Sequence, residues 1–510
     1  MHPPGKGAGT RSPGLGTGLK ASFGLFASIA MAAGCSVWIP TATGRTTFTL
    51  PVGQGAVRHF PLKAGDVTLP LPASKNLVLI LAASSSVGAP VSFRVTGSTG
   101  RLGGDARFSK AGADFAQNYG ERTARRRVQA EQPIGAILEF WINRGDNLSS
   151  GDCHRLGTVR WKSAHAYYLL DSGPASAAAG CGPAPEPASM PTVDQLQDMA
   201  AAFEGNSAFP GASGIWNTVT QLFGSDPAEG VDGDPRTYVV LSPAVDNWGK
   251  EKGLLGYFWS RDVDVSAVHS NKKEVIFLTN RIFTQRRYTT YGTLAHEFTH
   301  LVMFYQRRNN GAPAADPWWD EALSMLAMDQ TGYGLRAGNE DIAKDIRSFL
   351  NQPSSYSLTD WHVNPNQFAY GLVYVFARYL HDRFGPDFVR ESLAAKDSGG
   401  VAGLDRLLRR RGTTFQQVYT DFMVAVYTSG TLLEVEPRYR MPQEINLRAS
   451  YGAIALEGVQ AARIAAFGQQ ESASLKPWGT AFYEFGQADD RAWNFTFRVP
   501  GLMFGSAIGW

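Results

Sequence analysis

The feature that most constrains this chain is His296-Glu297-Phe298-Thr299-His300, set inside the mainly apolar run from Leu294 to Phe304. Two histidines four residues apart fall on one face of a helix, one turn from each other, so their imidazoles can converge on a single ion. Leu294, Leu301, Val302 and Phe304 give the same helix an apolar side to bury. The segment therefore reads as a core helix with two imidazoles at its exposed edge. With only nine histidines in the chain, chance would place an H-E-x-x-H in roughly one such sequence in a hundred. Zinc is the ion this pair suits.

A zinc site that does chemistry takes a third protein ligand and keeps one position open for water. Glu321 stands 21 residues past His300, in Trp318-Trp319-Asp320-Glu321-Ala322-Leu323-Ser324, where a second helix opens. The reading is zinc (Zn2+) held by His296, His300 and Glu321. The ion would lower the pKa of its water, and Glu297 would take the proton as general base and pass it to a leaving amine. The developing oxyanion needs a further donor. Tyr370 and Tyr374 are the nearest candidates, on an apolar helix expected over residues 368–384; Tyr370 comes first, because Gly371 beside it permits close backbone approach. A core tyrosine bonded elsewhere is the alternative, and His269, His362 and His381 are further candidates for the donor role. Asp320 and Asp329 could orient an imidazole. The structural alternative for the whole site is two core helices whose histidines bond to carbonyls.

The chain has 510 residues, 44% hydrophobic and 18% charged, which suits two to four globular domains. Net charge is only +3, and the short clusters Arg125-Arg126-Arg127 and Arg409-Arg410-Arg411 read as solvated faces. Nucleic acid is excluded as the expected partner, and protein or peptide substrates are expected instead. At the N-terminus, basic residues up to Lys20 precede an apolar stretch over 21–33, too short to span a bilayer and suited to a signal peptide. Ala32-Ala33-Gly34-Cys35 resembles a bacterial lipobox, which implies cleavage before Cys35 and a lipid on its thiol. Ser36 follows, where lipoproteins retained at the inner membrane commonly carry Asp. Membrane contact is then expected only through Cys35, at the outer membrane or cell surface, with plain secretion as the alternative. Of the three cysteines, Cys153 and Cys181 remain to form a disulfide or two buried thiols.

Punctuation and periodicity divide the chain into a signal peptide (1–35), a β-sandwich-like accessory domain (36–103), a linker and β-rich segment with the disulfide (104–185), a zinc metallopeptidase domain (186–431) and a C-terminal β-domain (432–510). The expected fold class is multidomain, an α+β zincin-like domain flanked by β-rich accessory domains. Asp232-Gly233-Asp234 is an acidic turn that could contribute to a calcium site, although it lacks the twelve-residue loop of a calcium hand; a plain turn is the favoured reading.

The stretch from about 190 to 430 resembles the hyicolysin family of bacterial neutral metallopeptidases, among the thermolysin-like glutamate-zincins. The resemblance implies His296 and His300 as zinc ligands, Glu297 as the catalytic base and Glu321 as the third ligand. Ala322 stands where that phrase commonly has Gly. The Tyr370-Gly371 helix, closing in Leu380-His381-Asp382-Arg383-Phe384-Gly385, resembles the family too. The implied activity is endopeptidase, since no Gly-x-Met-Glu-Asn segment is present to hold a free peptide amine. A catalytically silent surface adhesin or binding protein with a protease-like domain is the nonenzymatic alternative.

Overall fold

The computed structural model describes residues 56–62, 65–71, 76–84, 89–96, 131–142, 152–176, 182–205, 213–245, 255–281, 283, 286–364, 367–396, 399–464, 470–486, 493–499 and 502–510. The expected signal peptide, Cys35 and Cys181 lie outside these residues. In chain order come four strands, β1 (Ala56–Leu62), β2 (Gly65–Leu71), β3 (Asn76–Ala83) and β4 (Ala89–Thr96), then β5 (Ile137–Ile142), β6 (Cys153–Lys162) and β7 (Ala166–Pro174). Helices α1 (Val193–Glu204) and α2 (Ile215–Phe223) precede β8 (Thr237–Leu241), β9 (Gly256–Phe258) and β10 (Val275–Leu278). Three helices follow, α3 (Arg287–Asn309), α4 (Pro317–Gln330) and α5 (Glu340–Asn351), and then a hairpin of β11 (His362–Asn364) and β12 (Gln367–Phe368). The helical lobe is completed by α6 (Tyr370–Phe384), α7 (Pro386–Ala394), α8 (Val401–Arg410) and α9 (Phe415–Thr428). The chain ends in β13 (Ser450–Tyr451), β14 (Ile454–Ala455), β15 (Ala462–Ile464), β16 (Gln470–Leu475), β17 (Thr480–Gly486), β18 (Trp493–Val499) and β19 (Met503–Gly509).

Strands β5 to β10 form one mixed sheet in the order β5-β6-β7-β8-β10-β9. Its central strands alternate cleanly. Tyr168, Val239, Leu241, Ile276 and Leu278 face the helices, while Tyr167, Leu169, Tyr238, Val240 and Phe277 face the opposite core. Strand β9 is the edge, antiparallel to β10, and lies directly under α3. Gly256 permits that approach: a Cβ there would come within 2.8 Å of Thr293 on α3 and of the Phe277 carbonyl. The expected break at 185 is therefore no break in this sheet, since β7 pairs in parallel with β8 across it.

The terminal strands are joined rather than separate. The orders are β1-β19-β3-β17-β15 in one sheet and β16-β4-β18-β2 in the other. Each described strand of the 56–96 stretch pairs only with strands from the C-terminal stretch. The two accessory β-domains expected from the sequence thus contribute alternate strands to one sandwich. The reason is in the apolar pattern. Leu77, Leu79 and Leu81 pack between the sheets with Phe93, Phe495 and Phe497, whereas Val78, Ile80 and Ala82 belong to the core shared with the helical lobe. A strand covered on both faces needs neighbours on both edges and layers above and below, which the N-terminal stretch cannot supply alone. At roughly 1.5–3 kcal/mol for each large apolar side chain buried, the shared packing outweighs the cost of bringing the two ends of the chain together. No helix among the described residues is long and apolar enough to cross a membrane.

Candidate metal centre

Helix α3 carries the H-E-x-x-H phrase and is buried over most of its length, from Thr289 to Tyr305. The expected apolar side is thus closer to an all-round covering, made by the sheet, α2 and α4. Helix α4 begins with Pro317 in its first turn and presents Asp320 and Glu321 one turn in, against the histidine face. Ligand atoms of His296, His300 and Glu321 all lie within 4.8 Å of one another. The two Nε2 atoms are 3.1 Å apart, and Glu321 Oε2 is 3.1 Å from His296 Nε2 and 3.8 Å from His300 Nε2.

The polar accounting tests whether a cation fits. Asp320 Oδ2 lies 3.1 Å from His300 Nδ1, and Ser324 Oγ is 3.2 Å from the same nitrogen. A carboxylate there holds the proton on Nδ1 and leaves Nε2 with a lone pair, pointing at His296 and Glu321. Glu321 Oε2 is buried and, although 3.1 Å from His296 Nε2, makes no well-formed hydrogen bond. Burial alone would lower the pKa of His300, yet Asp320, Glu321 and Glu297 push it up to about 10, so these carboxylates call for a positive charge here, which either a second proton on the ring or a cation at Nε2 would supply. Burial also works against ionisation of Glu321, but its close contact with His296 and the charge of His300 hold its carboxyl below the ordinary range. Converging lone pairs, an orphaned carboxylate oxygen and an excess of negative charge are what a bound divalent cation would satisfy. Two imidazoles and one carboxylate are a donor set that zinc accepts.

Glu297 is on the same helix, one residue past His296, and is 7% exposed. Its Oε2 accepts the Phe258 N–H at 2.8 Å, which ties it to the edge strand. Burial raises its pKa, with His296 and His300 opposing the rise. Tyr370 opens α6; its phenol hydrogen-bonds to the Glu321 carboxylate, and its ring is 6.5 Å from that of His296. Burial, then Glu321 and Glu297, hold that phenol well above its ordinary pKa, so it stays a donor. Trp361 packs edge-on against it at 4.9 Å.

The other candidates fall elsewhere. Tyr374 donates to Asp329 Oδ1 at 2.9 Å in the core. Asp329 also pairs with Arg378, so it orients a tyrosine and an arginine instead of an imidazole. His269 pairs with Asp152 and stacks on Trp141, and His381 ends α6, three turns from Tyr370, where burial lowers its pKa to about 4. The side chain of His362 lies outside the described residues. In the acidic turn, Asp232 accepts from Tyr238 and pairs with Lys273, while Asp234 accepts from Tyr167 and pairs with Arg236. These partners already satisfy the turn's carboxylates, so it reads as a closed polar turn and not as a calcium site. Two contributors are invisible in the sequence. The Phe258 N–H lies in a three-residue strand too short to show periodicity, and Ser324, although inside the Trp318–Ser324 phrase, has no visible role until α4 meets α3.

Fold and site together define a metallopeptidase-like domain with a candidate metal triad. Residues 215–439 match the model of the Peptidase M30 family, and β-rich regions flank this stretch. The match contains every candidate site residue and excludes the terminal sandwich. No curated protein matches the chain.

Proposed function

We propose that the protein is a zinc-dependent endopeptidase, with His296, His300 and Glu321 holding the ion and Glu297 acting as general base. The observation that supports this reading is the convergence of three ligand atoms, one of them a buried carboxylate oxygen without a hydrogen bond, beside a buried glutamate within a stretch that matches a peptidase family. Zinc bound there supplies a Lewis acid and lowers the pKa of water. Glu297 is held by the Phe258 N–H through one oxygen, which leaves the other to take a proton. Its raised pKa makes it a stronger base than a solvated carboxylate, able to hold that proton and then release it to the leaving amine. Tyr370 stands on the other side of Glu321, where its phenol can turn from the carboxylate to a developing oxyanion. Export belongs to the same proposal and rests on the apolar stretch over 21–33 and the lipobox-like phrase ending at Cys35.

The test is cleavage of unfolded casein by the purified protein, with zinc content measured alongside. One zinc per chain is expected, with activity lost to a chelator. Glu297→Gln should keep the zinc and lose roughly 10²- to 10⁴-fold in kcat. Zinc bound without any cleavage would turn the reading toward a binding protein. An absence of zinc from active or inactive protein would sink the triad as drawn.

A further inference from the structure

Resting on the peptidase reading, we propose that Asp329 is a positioning residue: from α4 it fixes the register of α6, and so holds the Tyr370 phenol beside Glu321. The two helices run side by side in the same direction. Glu321, one turn into α4, meets Tyr370 at the start of α6. Eight residues further along α4, Asp329 meets Tyr374 and Arg378, which follow Tyr370 on α6 by one and two turns. Eight helical residues rise about 12 Å, so the two points of contact are matched along both helices. Asp329 is thereby set too far from the metal triad to touch a substrate, and it acts on the chemistry only through the helices it joins.

Asp329, Tyr374 and Arg378 are all buried. The Tyr374 hydroxyl donates to Asp329 Oδ1 at 2.9 Å, and Asp329 Oδ2 lies 3.1 Å from Arg378 Nε and 3.8 Å from Arg336 Nε. Arg378 is held in turn by Glu444, 3.3 Å away. Elsewhere the two helices meet through apolar side chains, as where Trp318 packs on Phe376. Apolar packing is non-directional and lets one helix slide along another. A carboxylate paired with a phenol and a guanidinium on the facing helix does not, because those contacts have fixed lengths and angles. A buried ion pair adds little stability over apolar residues of the same size, and its best-attested use is to fix register. On its other side, the first turn of α6 rests on the backbone of α5, where a Cβ on Gly371 would come within 2.2 Å of the Asp345 carbonyl oxygen. That contact sets how close α6 can sit, and Asp329 sets where it sits along its own axis. A donor to a developing oxyanion must lie within hydrogen-bond reach of it, and a misplacement of about 1 Å can cost about 100-fold in rate.

The experiment is a double-mutant cycle read on peptide cleavage. Asp329→Asn and Tyr374→Phe are each made in the wild-type protein and in Tyr370→Phe, with kcat, KM and zinc content measured for every variant. In the wild-type background each should keep one zinc and an unchanged KM, while kcat falls about 10- to 100-fold. In Tyr370→Phe neither should lower kcat further, because the donor they position is already gone. Equal losses in the two backgrounds would make the cluster an ordinary part of the core and overturn the assignment. An unchanged kcat in the folded single variants would overturn it as well. Should Asp329→Asn fail to fold for want of a counter-charge to Arg378, Tyr374→Phe leaves that ion pair in place and decides the matter alone. All of these outcomes leave the peptidase reading intact. Wild-type protein that binds zinc and cleaves no peptide would overturn both.

Discussion

Two histidine clusters in this molecule contain the same kinds of group and do opposite things. At the candidate metal centre, His296 and His300 meet Glu321, Asp320 and Ser324. Where the terminal sandwich meets the helical lobe, His59 of β1 meets Asp421 of α9 and Ser506 of β19. There His59 Nδ1 lies 2.8 Å from Ser506 Oγ, and Nε2 lies 2.9 Å from Asp421 Oδ1 and 3.1 Å from the Tyr439 hydroxyl. The second oxygen of Asp421 accepts from Arg383 at 2.8 Å, and Arg383 also donates to Tyr379. Each of these polar groups has its partner. A serine, a histidine and an aspartate in a row suggest a nucleophile, but both Ser506 and Asp421 are fully buried. The cluster is a clamp between β-sandwich and lobe. At the candidate metal centre two imidazole nitrogens and one carboxylate oxygen converge, and the carboxylate oxygen is buried without a hydrogen bond. Residue types alone do not separate these sites. The balance of donors against acceptors does.

The contrast can be broken at either end. Removing one partner from the satisfied cluster should do the most to stability. Asp421→Ala leaves Arg383 and His59 buried without their counter-charge, and should cost about 3–5 kcal/mol. A fall in the denaturation midpoint with zinc content unchanged under native conditions is the expected result; loss of zinc at unchanged stability would contradict this division of roles. Tyr370→Phe removes a donor from the unsatisfied cluster and should lower kcat roughly 10²- to 10³-fold with little change in KM. An unchanged kcat would return Tyr370 to the role of a core tyrosine. The smallest effect belongs to Asp320→Asn, which keeps the shape but weakens the hold on His300 Nδ1. Zinc affinity should fall about 10- to 100-fold, read by competition with a chelator. No fall in affinity would mean that Ser324 alone orients the ring.

The local part of the site was legible in the sequence. Helical spacing alone places His296, Glu297 and His300, because the relation of residues four apart on a helix is set by backbone geometry. The resemblance to neutral metallopeptidases covers much the same stretch as the family match over 215–439. The helix expected over 368–384 was legible as well and forms as Tyr370–Phe384, since an apolar run of this length leaves few alternatives. Tertiary structure decided what depends on distant segments meeting. No periodicity in β9 announces that its Phe258 N–H will hold Glu297, and none in β1 announces its pairing with β19, more than 400 residues away. Nor could α4 reveal by itself that Asp329 meets Tyr374. Local pattern reports which face of an element is apolar. Which partner covers that face, and which polar groups are left waiting for an ion or a substrate, is settled only when the elements pack.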